Sequence, residues 1–159
     1  MTLDTEPIRR NTRVALPVDD SYLYRLGVAL YGFAYANNFM TEIITYLDKG
    51  ADRMQLGNLM SGQILSAFRN AAMIYNDPSI RSPAKRAGDE FERLNTERTD
   101  FVHSGPITNS SGEQILLRRR DDKNKYFEVT NDFLDGFISR LGGVCDALYE
   151  IRDIVRPDL

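Results

Sequence analysis

The chain has very few of the side chains that build metal sites or covalent frameworks. Its 159 residues include one cysteine, one histidine and no tryptophan. The single cysteine, Cys145, excludes a disulfide framework within one chain and is typical of a reducing compartment. No Cys/His cluster indicates zinc, and the Gly-x-x-x-x-Gly-Lys-Ser/Thr pattern of a phosphate-binding loop is missing. The sequence therefore predicts no metal and no cofactor.

Long apolar runs and an excess of positive charge are also missing. No stretch reaches the roughly 18 consecutive apolar residues of a membrane-spanning helix. The N-terminus lacks the apolar core of a signal peptide, so we expect a cytoplasmic protein that makes no membrane contact. The formal net charge is −3, whereas proteins that coat nucleic acid broadly are strongly basic. A local basic cleft is still compatible with this balance.

What the sequence does contain is a series of helical patterns separated by turn signals. Residues 1–18 show no sustained periodicity and predict a flexible arm, whereas residues 19–159 predict one domain. Ser82-Pro83 predicts the start of the third main helix, because serine caps helices and proline favours the first helical position. The four main helices are predicted to begin near Asp19, Leu59, Pro83 and Thr130.

Two short strands are predicted before the last helix, at Gln114–Arg120 and Lys125–Val129. The predicted fold is therefore all-α, a four-helix bundle with a small β-hairpin between helices three and four. Gly136, Gly142 and Gly143 lower the helix propensity of the last helix. They predict that a neighbouring helix approaches closely there.

The third helix ends in the segment that holds the only histidine, Arg98-Thr99-Asp100-Phe101-Val102-His103-Ser104-Gly105-Pro106. Its apolar stripe leads directly to Arg98, where a buried guanidinium without an anion or several acceptors would be very costly. His103 lies about 140° further round, at roughly 100° per residue. On an unbroken helix the two side chains therefore do not face each other. Either the helix unwinds near Ser104, or the two groups serve a site completed by another surface.

This segment resembles the motif of the HEPN superfamily (higher eukaryotes and prokaryotes nucleotide-binding), an arginine followed after four to six residues by a histidine. Leu56-Gly57-Asn58-Leu59, the hairpin and the amphipathic last helix are similar to one bacterial branch of that family. The resemblance implies a helical bundle that dimerises through its motif helices, where two Arg/His pairs meet in one cleft. Many members cleave RNA there without a metal. The chain departs from the family at Thr99, where Asn, Asp or His is frequent, and at Gly105, where a toxin subgroup has a modified tyrosine.

The chemistry of the motif favours a homodimer. One histidine per chain cannot be general acid and general base in a single step, but a two-fold axis supplies two. One His103 would take the 2′-hydroxyl proton, the other would protonate the leaving 5′ oxygen, and both Arg98 guanidiniums would bind the scissile phosphate. Asn95, one turn before Arg98, and Asp100 are predicted supporting residues. Thr99 and Ser104 complete the supporting set, and Asp100 fits a solvated or capping role equally well.

Arg69, Arg118 and Arg120 are candidates for contacting RNA phosphates. Arg69 would otherwise pair with a nearby acid, the two hairpin arginines would otherwise be solvated, and His103 would otherwise cap its helix. The leading hypothesis is a HEPN-like RNA-cleaving or RNA-binding protein of stress response, toxin–antitoxin or defence systems. Its partners would be RNA and an antitoxin or nucleotidyltransferase. The alternative is a non-catalytic homodimeric helical interaction module.

Overall fold

The computed structural model describes residues 4–12, 19–120 and 125–159. These residues form six helices and one three-stranded antiparallel sheet, so the expectation of a mostly helical fold is confirmed. In chain order the elements are α1 (Glu6–Asn11), α2 (Asp20–Leu47), α3 (Arg53–Gly57), α4 (Ser61–Tyr75), α5 (Pro78–Val102), β1 (Gly105–Thr108), β2 (Gln114–Arg120), β3 (Lys125–Val129) and α6 (Asn131–Val155).

Capping side chains begin two of the long helices where the sequence predicts them. Asp19 accepts a hydrogen bond of 2.9 Å from the Ser21 amide at the start of α2. Thr130 Oγ1 accepts one of 3.1 Å from the Phe133 amide at the start of α6. Each bond satisfies an amide that has no partner within its own helix. The two helices that carry most of the core are therefore fixed at their first turns.

The predicted start of the third helix at Ser82-Pro83 is wrong. Helix α5 begins at Pro78, because Asp77 caps it by accepting a 2.9 Å hydrogen bond from the Ser79 amide. Asp77-Pro78 is itself a cap followed by proline at the first helical position. Pro83 consequently lies inside the helix, where it removes one backbone hydrogen bond in the second turn. The longer helix carries Arg98 and His103 at its far end.

Helices α2 and α6 run in parallel, and α5 runs antiparallel to both. Arg25 near the start of α2 bonds Asp135 near the start of α6 at 2.7 Å. The Phe101 and Phe137 rings, from the end of α5 and the first half of α6, meet edge to face with centroids 5.3 Å apart. The end of α5 and the starts of α2 and α6 therefore lie at one end of the bundle.

The close approach that the sequence predicts for α6 occurs at a different glycine. A Cβ at Gly136, Gly142 or Gly143 would meet nothing within 4 Å, so that prediction is wrong. A Cβ at Gly32 of α2 would instead lie 3.0 Å from Leu141 Cδ1 of α6. The absence of a side chain at Gly32 lets α2 and α6 pack closely beside the core.

The sheet has the strand order β1-β2-β3. The two predicted strands are confirmed with their predicted bounds, and β1 is a third strand that the sequence analysis did not predict. It pairs with β2 so that Ile107 lies opposite Ile115. Gly112, at a φ of +80°, closes the turn between them in a conformation that glycine adopts without strain. The turn returns the chain as β2 alongside β1. Strand β1, which follows His103 directly, is therefore held to the bundle through β2.

The hydroxyl of Tyr22 joins the sheet to the bundle. It donates a 2.8 Å hydrogen bond to the Val129 carbonyl and accepts one of 2.9 Å from the Leu116 amide. Leu116 and Val129 are opposite each other in the β2–β3 ladder. Tyr22 is 2% exposed, and its burial raises the pKa of the hydroxyl above its usual value. One α2 side chain therefore holds both strands at their junction with α6.

We expect Tyr22→Phe to lower the free energy of unfolding by about 1–3 kcal/mol, because it leaves a buried amide and a buried carbonyl without partners. Chemical denaturation at neutral pH measures this change. The control is Tyr24→Phe, since Tyr24 is 74% exposed, and it should change stability by less than about 0.5 kcal/mol.

Comparison of wild type with Tyr22→Phe at different pH values also tests the raised pKa of Tyr22. A pKa raised in the folded state gives stability that is fully present below the unfolded value of about 10 and is lost as pH rises through the folded pKa. The stability difference between wild type and Tyr22→Phe should therefore shrink above pH 10. A difference that stays constant up to the highest pH at which the protein folds would contradict this assignment.

Candidate functional site

Arg98 projects from α5 without a carboxylate partner. Its guanidinium lies over the Phe33 ring of α2, with Cζ 4.9 Å from the ring centroid, and Nη2 donates a 3.0 Å hydrogen bond to Asn95 Oδ1. Nε is buried and has no hydrogen-bond partner. No carboxylate in the described part of the chain lies within ion-pair distance. The side chain is thus held in place by an aromatic ring and an amide, and its positive charge is not neutralised.

Other half-buried arginines of the bundle contrast with Arg98. Arg140 of α6 forms ion pairs with Glu97 and Glu90 of α5. Because a partly buried cation is stabilised by a nearby anion, such pairs are the expected arrangement. Arg98 does not follow it, which leaves its spare N–H donors available to an anion from outside the chain.

The short length of α4 leaves Arg98 beside an open groove. Leu65 of α4 packs at Gly88 of α5, where an added Cβ would lie 3.7 Å from Leu65 Cδ1. Helix α4 begins at Ser61, only four residues earlier, while α5 continues to Val102. At 1.5 Å per residue, the stretch from Arg93 to Val102 extends about 15 Å beyond the end of α4. Along this stretch α5 packs against α6, and Phe33 of α2 lies beneath the Arg98 guanidinium.

We call this opening the Arg98 groove: Phe33 and Asn95 contact Arg98, Leu30 lies one turn before Phe33 on α2, and Val102 lies one turn after Arg98 on α5. Leu30 and Val102 are 45% and 49% exposed, although both lie beside core positions of their helices. The groove therefore has apolar walls and a single cation. That composition suits a ligand that combines an anionic group with a flat or apolar part.

His103 is the C-terminal cap of α5. Its amide bonds the Thr99 carbonyl at 3.1 Å, and α5 is continuous through Val102. The backbone between Arg98 and His103 is therefore helical, and the two side chains leave it in different directions. The imidazole is exposed, and no hydrogen bond to it is present among the described residues. The helix ends at Val102, and Ser104 lies outside it, so the chain leaves the helical path directly after His103.

The supporting residues divide into two groups. Asn95 contacts Arg98 directly, as predicted. Thr99 Oγ1 donates to the Asn95 carbonyl at 2.9 Å, and Ser104 Oγ donates to the Asp100 carbonyl at 2.9 Å. Thr99 and Ser104 therefore stabilise the last turns of α5, and the structure does not bring their hydroxyls to the guanidinium.

Arg118 of β2 attaches the end of α5 to the sheet. Its Nη1 donates a 3.0 Å hydrogen bond to the His103 carbonyl, and its Nε lies 3.8 Å from Asp100 Oδ1. A cation at a helix C-terminus satisfies a free carbonyl and interacts favourably with the helix dipole. Asp100 is thus partly buried against the sheet, and Arg118 fixes the backbone that carries His103.

The other two predicted phosphate-binding arginines are placed differently. Arg69 bonds Asp89 at 3.1 Å and Glu92 at 2.9 Å. This is the alternative from the sequence in which Arg69 pairs with a nearby acid. Those carboxylates raise the pKa of the Arg69 guanidinium. The side chain of Arg120 lies outside the described residues. Arg119, which the sequence analysis did not single out, lines a depression of about 310 Å³ together with His103. The sequence signal that could have identified Arg119 was its position next to Arg118 in the predicted strand.

A larger depression, of about 730 Å³, lies away from the motif, between the sheet and the starts of α2 and α6. Its rim carries the carboxylates of Asp19, Glu113 and Asp132. Like charges repel phosphate, so this depression does not suit RNA. Elsewhere among the described residues, no group of three or more His, Cys, Asp or Glu side chains is placed to hold a metal ion. None of the described helices is long and apolar enough to cross a membrane.

The chain matches no protein-family model, no curated protein and no solved structure.

Arg98→Met should leave the free energy of unfolding within about 1 kcal/mol of wild type. The substitution loses the contact with Phe33 but also removes a buried, unpaired Nε–H. Arg140→Met, the matched control, should cost about 1–3 kcal/mol, since it leaves Glu97 without its cation and removes one of the two that Glu90 has. Chemical denaturation of both variants measures the contrast. A loss for Arg98→Met as large as that for Arg140→Met would indicate a structural role for Arg98.

Arg118→Met should loosen the turn that carries His103. Loss of its bond frees the His103 carbonyl, so we expect destabilisation of about 1–2 kcal/mol and faster amide hydrogen exchange at His103 and Ser104. Arg119→Met changes a neighbouring exposed arginine for which the structure gives no ion pair, and it serves as the control. Equal exchange rates in the two variants would argue against the capping role of Arg118.

Proposed function

We propose that the protein binds RNA at the Arg98 groove and cleaves it without a metal, in a site that two copies of the chain complete. The observation that carries the proposal is the half-buried Arg98 guanidinium. It is held by Phe33 and Asn95, and no carboxylate of the described residues lies within ion-pair distance of it. The resemblance of this segment to the HEPN motif supports the same function. A phosphate diester of RNA supplies the anion that Arg98 lacks, and the bases of the RNA suit the apolar walls of the groove.

The chemistry requires two imidazoles. One His103 accepts the 2′-hydroxyl proton while the 2′ oxygen attacks phosphorus. The partner's His103 gives a proton to the departing 5′ oxygen as the P–O5′ bond breaks, which leaves a 2′,3′-cyclic phosphate. Arg98 stabilises the negative charge that builds on the phosphate oxygens. His103 suits this role because it is exposed and because Arg118 fixes its backbone.

A second candidate function is a non-catalytic interaction module, which one observation favours. Helix α2 exposes Tyr24 and Tyr31 by 74% and 77%. Exposed aromatic side chains are more common at binding surfaces than on the rest of a protein. In this interpretation Arg98 and His103 contribute to association, and no bond is broken.

Cleavage of a labelled single-stranded RNA in EDTA separates the two functions. We expect cutting that survives EDTA, yields a 2′,3′-cyclic phosphate end, and falls by about 100-fold or more in His103→Ala and in Arg98→Ala. The matched control is Arg81→Ala. Arg81 also has an amide partner, Asn76, at 3.1 Å, but it lies at the opposite end of α5.

Two results would remove the nuclease proposal. One is cleavage that is equally fast in wild type, Arg98→Ala and His103→Ala, which would point to a contaminating enzyme. The other is the complete lack of cleavage by a wild-type dimer on structured and unstructured RNA. In that second case the interaction module is the better description.

A further inference from the structure

A depression on the sheet lies directly beside the imidazole of His103. It measures about 310 Å³ and is lined by His103, Gly105, Pro106, Ile107, Leu117 and Arg119. We call it the His103 depression. It is separate from the Arg98 groove, because no residue of the groove lines it. Its volume is at the lower end of the pockets that hold small ligands, which begin at about 300 Å³.

The strand register explains why the depression forms. Gly105 lies opposite Leu117 in the β1–β2 ladder, and the same register continued by two residues places His103 opposite Arg119. Opposite residues of an antiparallel pair point to the same face, and so do residues two apart in one strand. Gly105 has no side chain, and a Cβ there would meet nothing within 4 Å. An unfilled position therefore lies above Leu117, between the side chains of His103 and Ile107.

The rim of the depression carries the cation of Arg119. Arg118, one residue earlier, points to the opposite face, where its Nη1 bonds the His103 carbonyl at 3.0 Å. The Arg119 side chain is exposed, and within the described part of the chain it has no hydrogen bond and no ion pair. Glu128 of β3 lies opposite Leu117 on the same face and forms no ion pair there either. The N–H donors of Arg119 are therefore available to an anion that enters the depression.

The composition of the depression suits one unpaired nucleotide. Pro106, Ile107 and Leu117 offer an apolar surface to the face of a base, and Arg119 offers its guanidinium to a phosphate. Bases in a duplex are stacked and paired, so a base enters a depression only when it is unpaired. We propose that the His103 depression binds an unpaired ribonucleotide beside the bond that is cut, with its base over Leu117 and its phosphate on Arg119.

This inference rests on the proposed function and names its substrate class, which is single-stranded RNA. In the proposed function Arg98 binds the scissile phosphate and His103 transfers protons. The depression holds the neighbouring nucleotide, so the strand is fixed on both sides of the reacting bond and aligned with the imidazole. Arg119 is thus a substrate-binding residue that takes no part in bond breaking.

Binding of an uncleavable strand tests the depression without relying on cleavage. The probe is a fluorescent single strand of about ten nucleotides, with 2′-fluoro groups in place of the 2′-hydroxyls. Anisotropy measures its dissociation constant over about 50–200 mM salt, because each phosphate contact on a single strand contributes about 0.7 to the salt slope. Wild type should bind the single strand about 10-fold more tightly than the same sequence in a duplex.

Two different changes should weaken single-strand binding. Arg119→Met should raise the dissociation constant about 5-fold and make the salt slope shallower by about 0.7, since it removes one phosphate contact. Gly105→Val should raise the dissociation constant about 10-fold with little change of slope, because its side chain fills the depression and leaves Arg119 in place. Valine suits a strand, and Gly105 has no positive φ. Thermal unfolding followed by circular dichroism checks that each variant is folded.

Three further variants serve as controls. Arg81→Met removes an exposed arginine at the far end of α5, and Thr108→Val changes β1 outside the depression. Both should bind the strand as wild type does. Glu128→Gln removes a negative charge from the face that carries Arg119, so it should lower the dissociation constant about 2-fold.

The failure of this inference and the failure of the proposed function are distinguishable. Wild-type affinity in folded Arg119→Met and Gly105→Val, or equal affinity for single strand and duplex, overturns the depression even if unmodified RNA is cleaved. Weaker binding in both variants supports the depression even if no RNA is cleaved. A free nucleoside 5′-monophosphate that displaces the strand as well as an unlabelled oligonucleotide does would overturn the assignment to RNA.

Discussion

The hydrogen bonds of the Tyr22 hydroxyl are the constraint on which the motif end of the bundle depends. They attach β2 and β3 to α2 at the point where α6 begins. Strand β2 in turn carries Arg118, which caps the carbonyl of His103. The position of the only imidazole is therefore determined by a chain of contacts that starts on α2, passes through the sheet and ends at the last turn of α5. The small sheet serves as a support for the helix terminus.

The candidate site combines a rigid cation and an exposed imidazole on one helix. Arg98 is kept in place by a ring and an amide, which orient the guanidinium without cancelling its charge. His103 is instead placed by its backbone, so its ring remains accessible. This difference fits the proposed roles of Arg98 as the phosphate-binding group and of His103 as the proton-transferring group. The first needs a fixed direction, and the second needs access to substrate and solvent.

Local signals in the sequence predicted much of the fold. The caps at Asp19 and Thr130, and both strands of the hairpin, needed only neighbouring residues, and they are confirmed. The start of α5 was missed because two successive cap-proline pairs, Asp77-Pro78 and Ser82-Pro83, compete, and only tertiary packing distinguishes them. The role of Arg118 was also missed as a helix cap, since it depends on contact between residues fifteen positions apart. The pairing of Arg69 with acids was one of two alternatives that sequence spacing left open.

The boundary of α4 has a consequence for how access to Arg98 is controlled. That helix begins at Ser61, where the Gln63 side chain accepts a 2.9 Å hydrogen bond from the Met60 amide. Two more helical turns at its N-terminus would lay about 10 Å of additional helix along α5 and bury the guanidinium. The start of α4 at Ser61 therefore determines how much of Arg98 this helix leaves uncovered. A change of sequence that extends α4 toward α3 would close access to Arg98 while every residue of the motif stays the same.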